Sequence, residues 1–588
     1  MKIQKWGGML TVPAFAILLI VFGIPMVGLF LTSLDAPAFS VVYYRAFIDQ
    51  PANVRVLFQT IEISLIATAI CLSIGYPAAY LIATASKRVR VALIVLTVIP
   101  YLTSGLARTY AWTVILGDHG LINDLLLDLG VVDSPLPLIY NRMAVYIGMV
   151  HIMLPIMMLP LLSVMMGIDN SLMAAARSMG ARRFSAFWRV FFPLSLPGVR
   201  SGSLLVFVLC LGFYITPQAL GGLRDAMLST FIAAQVTSSL NLAPIAASAF
   251  ILLAIAAIML SIFGLDLSGA ESRAALPRGR SWLNQVALFG RLTRNLNELT
   301  THYRAKRWVV QLYKAGRESR WPQSVGAVFV ALVMIFLLFP ELVVIIMSFS
   351  PGSLLEFPPT GFSLRWYGSF FGDSSWTSAA WTSIQIAFAV AALSTIVGTL
   401  AAYGISRTFP RLRAVLTMAI LAPITFPLIV VGIATYLGVV ELGLIGSRTG
   451  IVLAHSIGAI AYVVVIVSAT LANFDQRLEQ AAMSMRAGPL QTFLRVTLPL
   501  IKPGIIGGAV FAFIHSFDEV VISSLVSGFS VRTLPLKMWE NVRHEIDPTI
   551  AAVASLLMLL PVLWLVALYV TWWRSKPGAQ PALADHTI

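Results

Sequence analysis

The 588-residue chain is 58% hydrophobic and only 11% charged, with a net charge of +15. Soluble proteins carry roughly 45–50% apolar and about 25% charged residues. Composition therefore excludes a soluble enzyme, a disordered protein and a nucleic-acid-binding module. The apolar runs are about 20 residues long, the length of a membrane-crossing helix; barrel strands would alternate over about 10. The fold class is all-α, a polytopic membrane protein.

In chain order the runs predict spans over 12–32, 59–85, 91–117, 140–166, 198–220 and 243–265. Six more follow at 323–348, 379–405, 414–438, 449–472, 504–526 and 548–573. The first follows Lys2 and Lys5 but is longer than the 7–15 apolar residues of a signal sequence, so it reads as retained. Cys71 and Cys210 fall inside spans and read as small apolar residues. Placing both termini in the cytoplasm puts 30 of the 40 Lys and Arg on the inner side.

Residues 266–322 are polar and basic, and join two six-span halves. Within them Trp282, Val286, Phe289, Leu292, Leu296 and Leu299 recur at three- and four-residue steps. That pattern fits a helix lying on the inner leaflet; a solvated linker fits as well. The expected organisation is a first half at 1–265, the linker at 266–322, a second half at 323–575 and a tail at 576–588.

The halves repeat. Residues 169–198 align without a gap on 475–504, with 14 identities in 30 positions. Upstream, Gly75, Ala78, Ala79, Tyr80 and Pro100 recur 323 residues later as Gly398, Ala401, Ala402, Tyr403 and Pro423. Two copies of six spans share one orientation, as in a parallel repeat about an axis normal to the membrane. The repeated loops, 168–197 and 474–503, lie on the cytoplasmic side in this reading. Each begins with helix-favouring alanines and breaks, in the first copy at Gly180. Phe184, Phe187, Trp188 and Phe191 then form one predicted helical face, matched by Leu490, Phe493, Leu494 and Thr497. That helix is predicted to end before Pro193 and Pro499. An aromatic helix–turn–helix presented twice fits a two-fold cytosolic partner.

The loop resembles the "EAA" loop of bacterial ABC importer permeases: Ala175-Ala176 with Gly180 and Pro193, then Gln480-Ala481-Ala482 with Leu498-Pro499. The likeness covers nearly the whole chain. Gly120-Leu121-Ile122-Asn123, Pro135-Leu136-Pro137-Leu138 and Gly212-Phe213-Tyr214-Ile215-Thr216-Pro217 look like the first permease of spermidine/putrescine importers. Phe362-Ser363-Leu364-Arg365-Trp366-Tyr367, His515-Ser516-Phe517-Asp518-Glu519 and Ile546-Asp547-Pro548-Thr549 look like the second. The resemblance implies the type I permease fold with both permeases fused in one chain. It implies two cytosolic ABC ATPase subunits, a periplasmic solute-binding protein and a bacterial inner-membrane location. Docking would fall to Ala175, Ala176, Gly180, Phe184, Phe187, Trp188, Glu479, Gln480, Ala481, Ala482, Arg486, Phe493 and Leu494. Two departures stand out: the family glutamate is Ala174 and Gln480, and the second copy has Arg486 at the family glycine.

Ionisable residues within spans mark function. Asp518 and Glu519 lie in span eleven, with His515 on the face of Asp518 and Glu519 about 100° away around a helix. The first-half counterparts are Gly212 and Phe213, with Tyr214 alongside. Carboxylates and aromatics suit an organic, polyamine-like cation; an Asp518–Arg108 ion pair is the competing reading. His151 and His455 are expected to bond neighbouring helices rather than a metal, and Glu62 and Glu341 to reach the interface. No nucleotide-binding motif is present. The chain is therefore expected to bind no cofactor, with ATP and Mg on the partner. The alternative, a twelve-helix secondary carrier of the major facilitator type, lacks its basic motif at 84–90.

Overall fold

In a membrane every backbone N–H and C=O must be paired within the protein, which leaves apolar runs of this length little choice but helix. A computed structural model describes residues 8–238, 241–263, 321–352, 359, 361–544, 548–559 and 562–563. Among them there is no strand. Nine helices are long and apolar enough to cross, and two further spans are each broken into a sharply bent pair. The proposed linker, the tail and most of the far half of the twelfth span lie outside the described residues. The apolar helix Thr549–Leu559 begins that twelfth span.

Four predicted spans differ in one respect: they are interrupted. The third divides into Lys87–Leu102 and Gly105–Asp128 at 91°, the ninth into Pro410–Thr425 and Leu428–Glu441 at 103°. Pro427 forces extended geometry on Phe426 (ψ 153°). In the first half Thr103 is extended instead, and the Ser104 hydroxyl caps the new helix by accepting from the Ala107 N–H at 3.3 Å. The fifth and eleventh spans begin earlier than expected, at Arg183 and Pro489, and stop at Leu211 and Phe517. Short helices Ile215–Leu220 and Val521–Val526 follow.

The helices do not end before Pro193 and Pro499. A five-residue π-turn precedes each proline, Phe187–Phe191 and Phe493–Thr497, and the chain continues as helix. Widening the turn makes room for a residue that can neither donate nor fit the regular spacing.

Pro51–Thr84, Arg142–Gly167 and Arg183–Leu211 pack on one another, as do Ser374–Ser406, Arg448–Ala472 and Pro489–Phe517. Gly75 and Gly398 hold equivalent places in these bundles. A Cβ on Gly75 would sit 3.2 Å from Met157, and one on Gly398 2.8 Å from Val463. Small residues there let the helices approach closely. At the opposite end of these helices from the repeated loops, Arg142 pairs with Glu62 at 3.3 Å and Arg448 bonds Gln385 at 2.8 Å. These contacts too are equivalent.

Candidate functional site: a crossing of broken helices and two repeated hairpins

The four interruptions meet crosswise. Asp518 ends Pro489–Phe517 and reaches the break of the third span. The Gly105 N–H donates to its Oδ2 at 3.0 Å, and the Ser104 hydroxyl donates to its Oδ1. A carboxylate at a helix N-terminus satisfies free N–H groups and opposes the helix dipole. Gly212 stands in the equivalent place and reaches the break of the ninth span. There a Cβ would lie 2.8 Å from the Leu428 nitrogen. One junction is a carboxylate cap and the other a bare backbone approach.

Beside the Asp518 junction lies a cavity of about 170 Å³, lined by Tyr101, Thr103, Arg108, Tyr462, His515, Asp518 and Glu519 among others. Glu519 Oε1 accepts from the Ile522 N–H at 2.9 Å, capping the next short helix. Arg108 is only 4% exposed. Its Nη2 donates to the Thr103 carbonyl at 3.3 Å, and its Nε and Nη1 have no partner. His515 lies against Tyr462, ring centroids 5.1 Å apart, with an unpartnered Nε2.

Several expectations are corrected here. Asp518 and Arg108 line one cavity but form no ion pair within 4 Å. Glu519 is not turned away from it, because the helix ends at Phe517 and helical spacing no longer applies. Gly212, Phe213 and Tyr214 do not line it: Tyr214 packs on Trp539 at 5.8 Å, and the Phe213 carbonyl accepts from the Ser229 hydroxyl. Glu341 does not reach the interface. It is buried and accepts from the Thr103 hydroxyl at 2.7 Å. Tyr101 and Tyr462 were missed, since tyrosines inside apolar runs look like filler. The histidines do bond neighbouring segments. His455 lies 2.9 Å from Ser516 and 3.0 Å from Ser523, on either side of the break, and His151 Nε2 is 3.1 Å from the Leu337 carbonyl.

The repeated loops are helical hairpins. In the first, Asp169 caps Asn170–Ser178; the Ser171 N–H and hydroxyl hold its carboxyl below the usual range. Gly180 then turns with φ +86°. In the second, Arg486 makes the same turn with φ +65°. The predicted aromatic face is split by the π-turn. Phe187 lies inward, 5.2 Å from Tyr80, and stacks on buried Phe191 at 5.8 Å, while Phe184 and Trp188 are exposed. In the second copy Phe493 lies inward on Tyr403 at 4.8 Å and Leu494 is exposed. Ala176, Ala482 and Glu479 are buried, whereas Ala175, Gly180, Gln480, Ala481 and Arg486 face outward. Glu479 bonds Arg407 at 2.6 Å and accepts from Thr497 at 2.5 Å. It ties the hairpin to the bundle and cannot itself be a surface contact. Five exposed apolar positions recur at a 306-residue offset: Leu172/Leu478, Met179/Met485, Phe184/Leu490, Trp188/Leu494 and Leu194/Leu500.

The pattern of the family described as "Binding-protein-dependent transport system inner membrane component" matches residues 71–267 and again 394–576. The chain belongs to this family. Each matched segment of the permease holds one hairpin, one bent pair and one interrupted helix. The spermidine/putrescine transport system permease protein PotB of Haemophilus influenzae is 37% identical over 191 residues, 32% of this chain and 67% of that one. The putrescine transport system permease protein PotI of Escherichia coli is 38% identical over 231 residues, 38% of this chain and 82% of that one. A bacterial ABC transporter structure involved in alginate import aligns with TM-score 0.36 and 18% identity, over 45% of this chain and 99% of that chain. The permease is thus a multi-pass inner-membrane component of a binding-protein-dependent ABC importer. The secondary-carrier reading finds no support.

Proposed function

We propose that this permease moves a small organic solute bearing a protonated amine, polyamine-like in that respect, into the cytoplasm through the crossing of broken helices. The observation that carries the reading is the cavity flanked by Asp518 and Glu519 at the junction of the halves. Relatives named for spermidine and putrescine support it. The two fused halves, 1–265 and 323–575 joined by 266–322, supply both sides of the path. Both termini are cytoplasmic, following the Lys and Arg distribution. A periplasmic solute-binding protein delivers the solute. Two cytosolic ATPases, holding ATP and Mg, seat one on each hairpin through the five repeated apolar positions. The chain binds no cofactor of its own.

The test is uptake of radiolabelled putrescine into vesicles holding the chain with its ATPase and binding protein. Uptake should require ATP, be competed by other amines and not by neutral sugars, and fall at least tenfold when Trp188→Ala and Leu494→Ala are combined, as two truncated contact residues would cost. ATP-independent uptake, or full uptake by the double variant, would contradict the reading.

A further inference from the structure

The cavity at the crossing is not simply acidic. Arg108 shares its wall with Asp518 and Glu519, and its partners do not exhaust it. A guanidinium carries five N–H donors. One goes to the Thr103 carbonyl, while Nε and Nη1 have none, in a side chain that is 4% exposed. The two carboxyls are better served. Both oxygens of Asp518 accept from Ser104 and Gly105, and Glu519 Oε1 accepts from Ile522. Each carboxylate retains lone pairs for a further donor. The lining is therefore two-signed, holding both carboxylate acceptors and an unanswered planar donor.

A purely cationic solute would meet the carboxyls but leave the Nε and Nη1 donors of Arg108 unanswered. A solute with an anionic group as well would answer both. Arg binds planar carboxylates through two parallel N–H bonds, and burial makes an unpaired guanidinium costly. The size is consistent: about 170 Å³ is many times the roughly 10–15 Å³ that a single water needs. We propose that the cavity takes a zwitterion, an amino-acid-type amine whose carboxylate sits on Arg108 and whose ammonium faces Asp518 and Glu519. This rests on the reading that the cavity is the solute site, and narrows the solute class within it.

Putrescine and ornithine make the test direct. Ornithine is the same four-carbon diamine chain with a carboxylate added. Equilibrium binding of each radiolabelled probe is measured on the purified full-length chain in lipid nanodiscs. Ornithine should bind about tenfold or more tightly than putrescine, the worth of one charge-assisted contact. Arg108→Gln should erase that preference while putrescine binding is kept or improved, and Arg108→Lys should retain part of it. Asp518→Asn should weaken both probes. Thermal unfolding of each variant identifies one that has not folded, and the wild-type ratio stands without any variant. Putrescine binding as tightly as ornithine overturns the zwitterion proposal and leaves the cation reading in place. Binding of neither probe to the wild-type chain removes the cavity as the solute site and overturns both.

Discussion

Arg486 holds a backbone geometry that Gly180 adopts freely in the other hairpin. A left-handed φ costs a side-chain-bearing residue about 1–2 kcal/mol, partly offset by the extra freedom glycine loses on folding. Arg486→Gly should therefore raise stability by up to about 1 kcal/mol, read by thermal unfolding. Arg486 is exposed and has no ion pair among the described residues, so its charge is available to the ATPase. The same variant should bind the ATPase more weakly; unchanged affinity would remove Arg486 from the docking surface. Asp518 poses a different problem. In Asp518→Asn one oxygen becomes a second donor facing Ser104 or Gly105, which leaves a buried donor unpaired at about 1–3 kcal/mol. Adding Arg108→Gln should not restore stability, because the two side chains are not directly bonded. Recovery in the double variant would reinstate the ion pair. That Asp518 is an unusual residue was legible in the sequence, since carboxyls are rare at such depth. Its partner was not: Ser104 and Gly105 lie 414 and 413 residues away, and no local pattern announces a backbone donor.

The hairpins were the most legible elements, because a polar segment repeated at a fixed offset has no explanation in membrane insertion. Their turns at Gly180 and Arg486 follow from that repeat, while the predicted helix ends before Pro193 and Pro499 do not hold. What escaped the sequence was the π-turn, which rotates Phe187 and Phe493 inward and leaves Phe184, Trp188 and Leu494 outside. Periodicity assumes 3.6 residues per turn and fails wherever a wider turn is inserted. The two hairpins share one ring contact, Tyr80–Phe187 and Tyr403–Phe493, but differ in what is added to it. Aromatic contacts among Tyr76, Tyr80, Phe187 and Phe191 hold the first. The second adds to its Tyr403–Phe493 contact a buried ionic anchor of Arg407, Glu479 and Thr497, with Tyr403 bonded to Glu479. Breaking a buried pair from one side costs about 3–5 kcal/mol. Glu479→Gln should speed backbone hydrogen exchange over 477–497 and leave 170–191 unchanged. Phe187→Ala should do the reverse, by less than the about 3–5 kcal/mol of a fully buried ring, because Phe187 is half-buried. Equal loosening of both hairpins by either change would contradict separate anchoring.

At the scale of the molecule, the twelve apolar runs were readable and the breaks within four of them were not. Hydropathy continues across Leu102–Gly105 and Thr425–Leu428, and only the packed crossing shows that the backbone turns there. Irregular backbone at that depth is tolerated where protein or a cavity lines it, and the crossing supplies both. The same crossing joins one half to the other, Asp518 to Ser104–Gly105 and Gly212 to Pro427–Leu428. One chain thus contributes both sides of the crossing and both hairpins. The central claim is that a single copy is a whole permease serving two ATPases. Native mass spectrometry of the complex purified with its ATPase from membranes tests it most directly. One chain with two ATPase subunits is the predicted mass; two copies of the chain in the complex, or one chain holding a single ATPase at saturation, would contradict it.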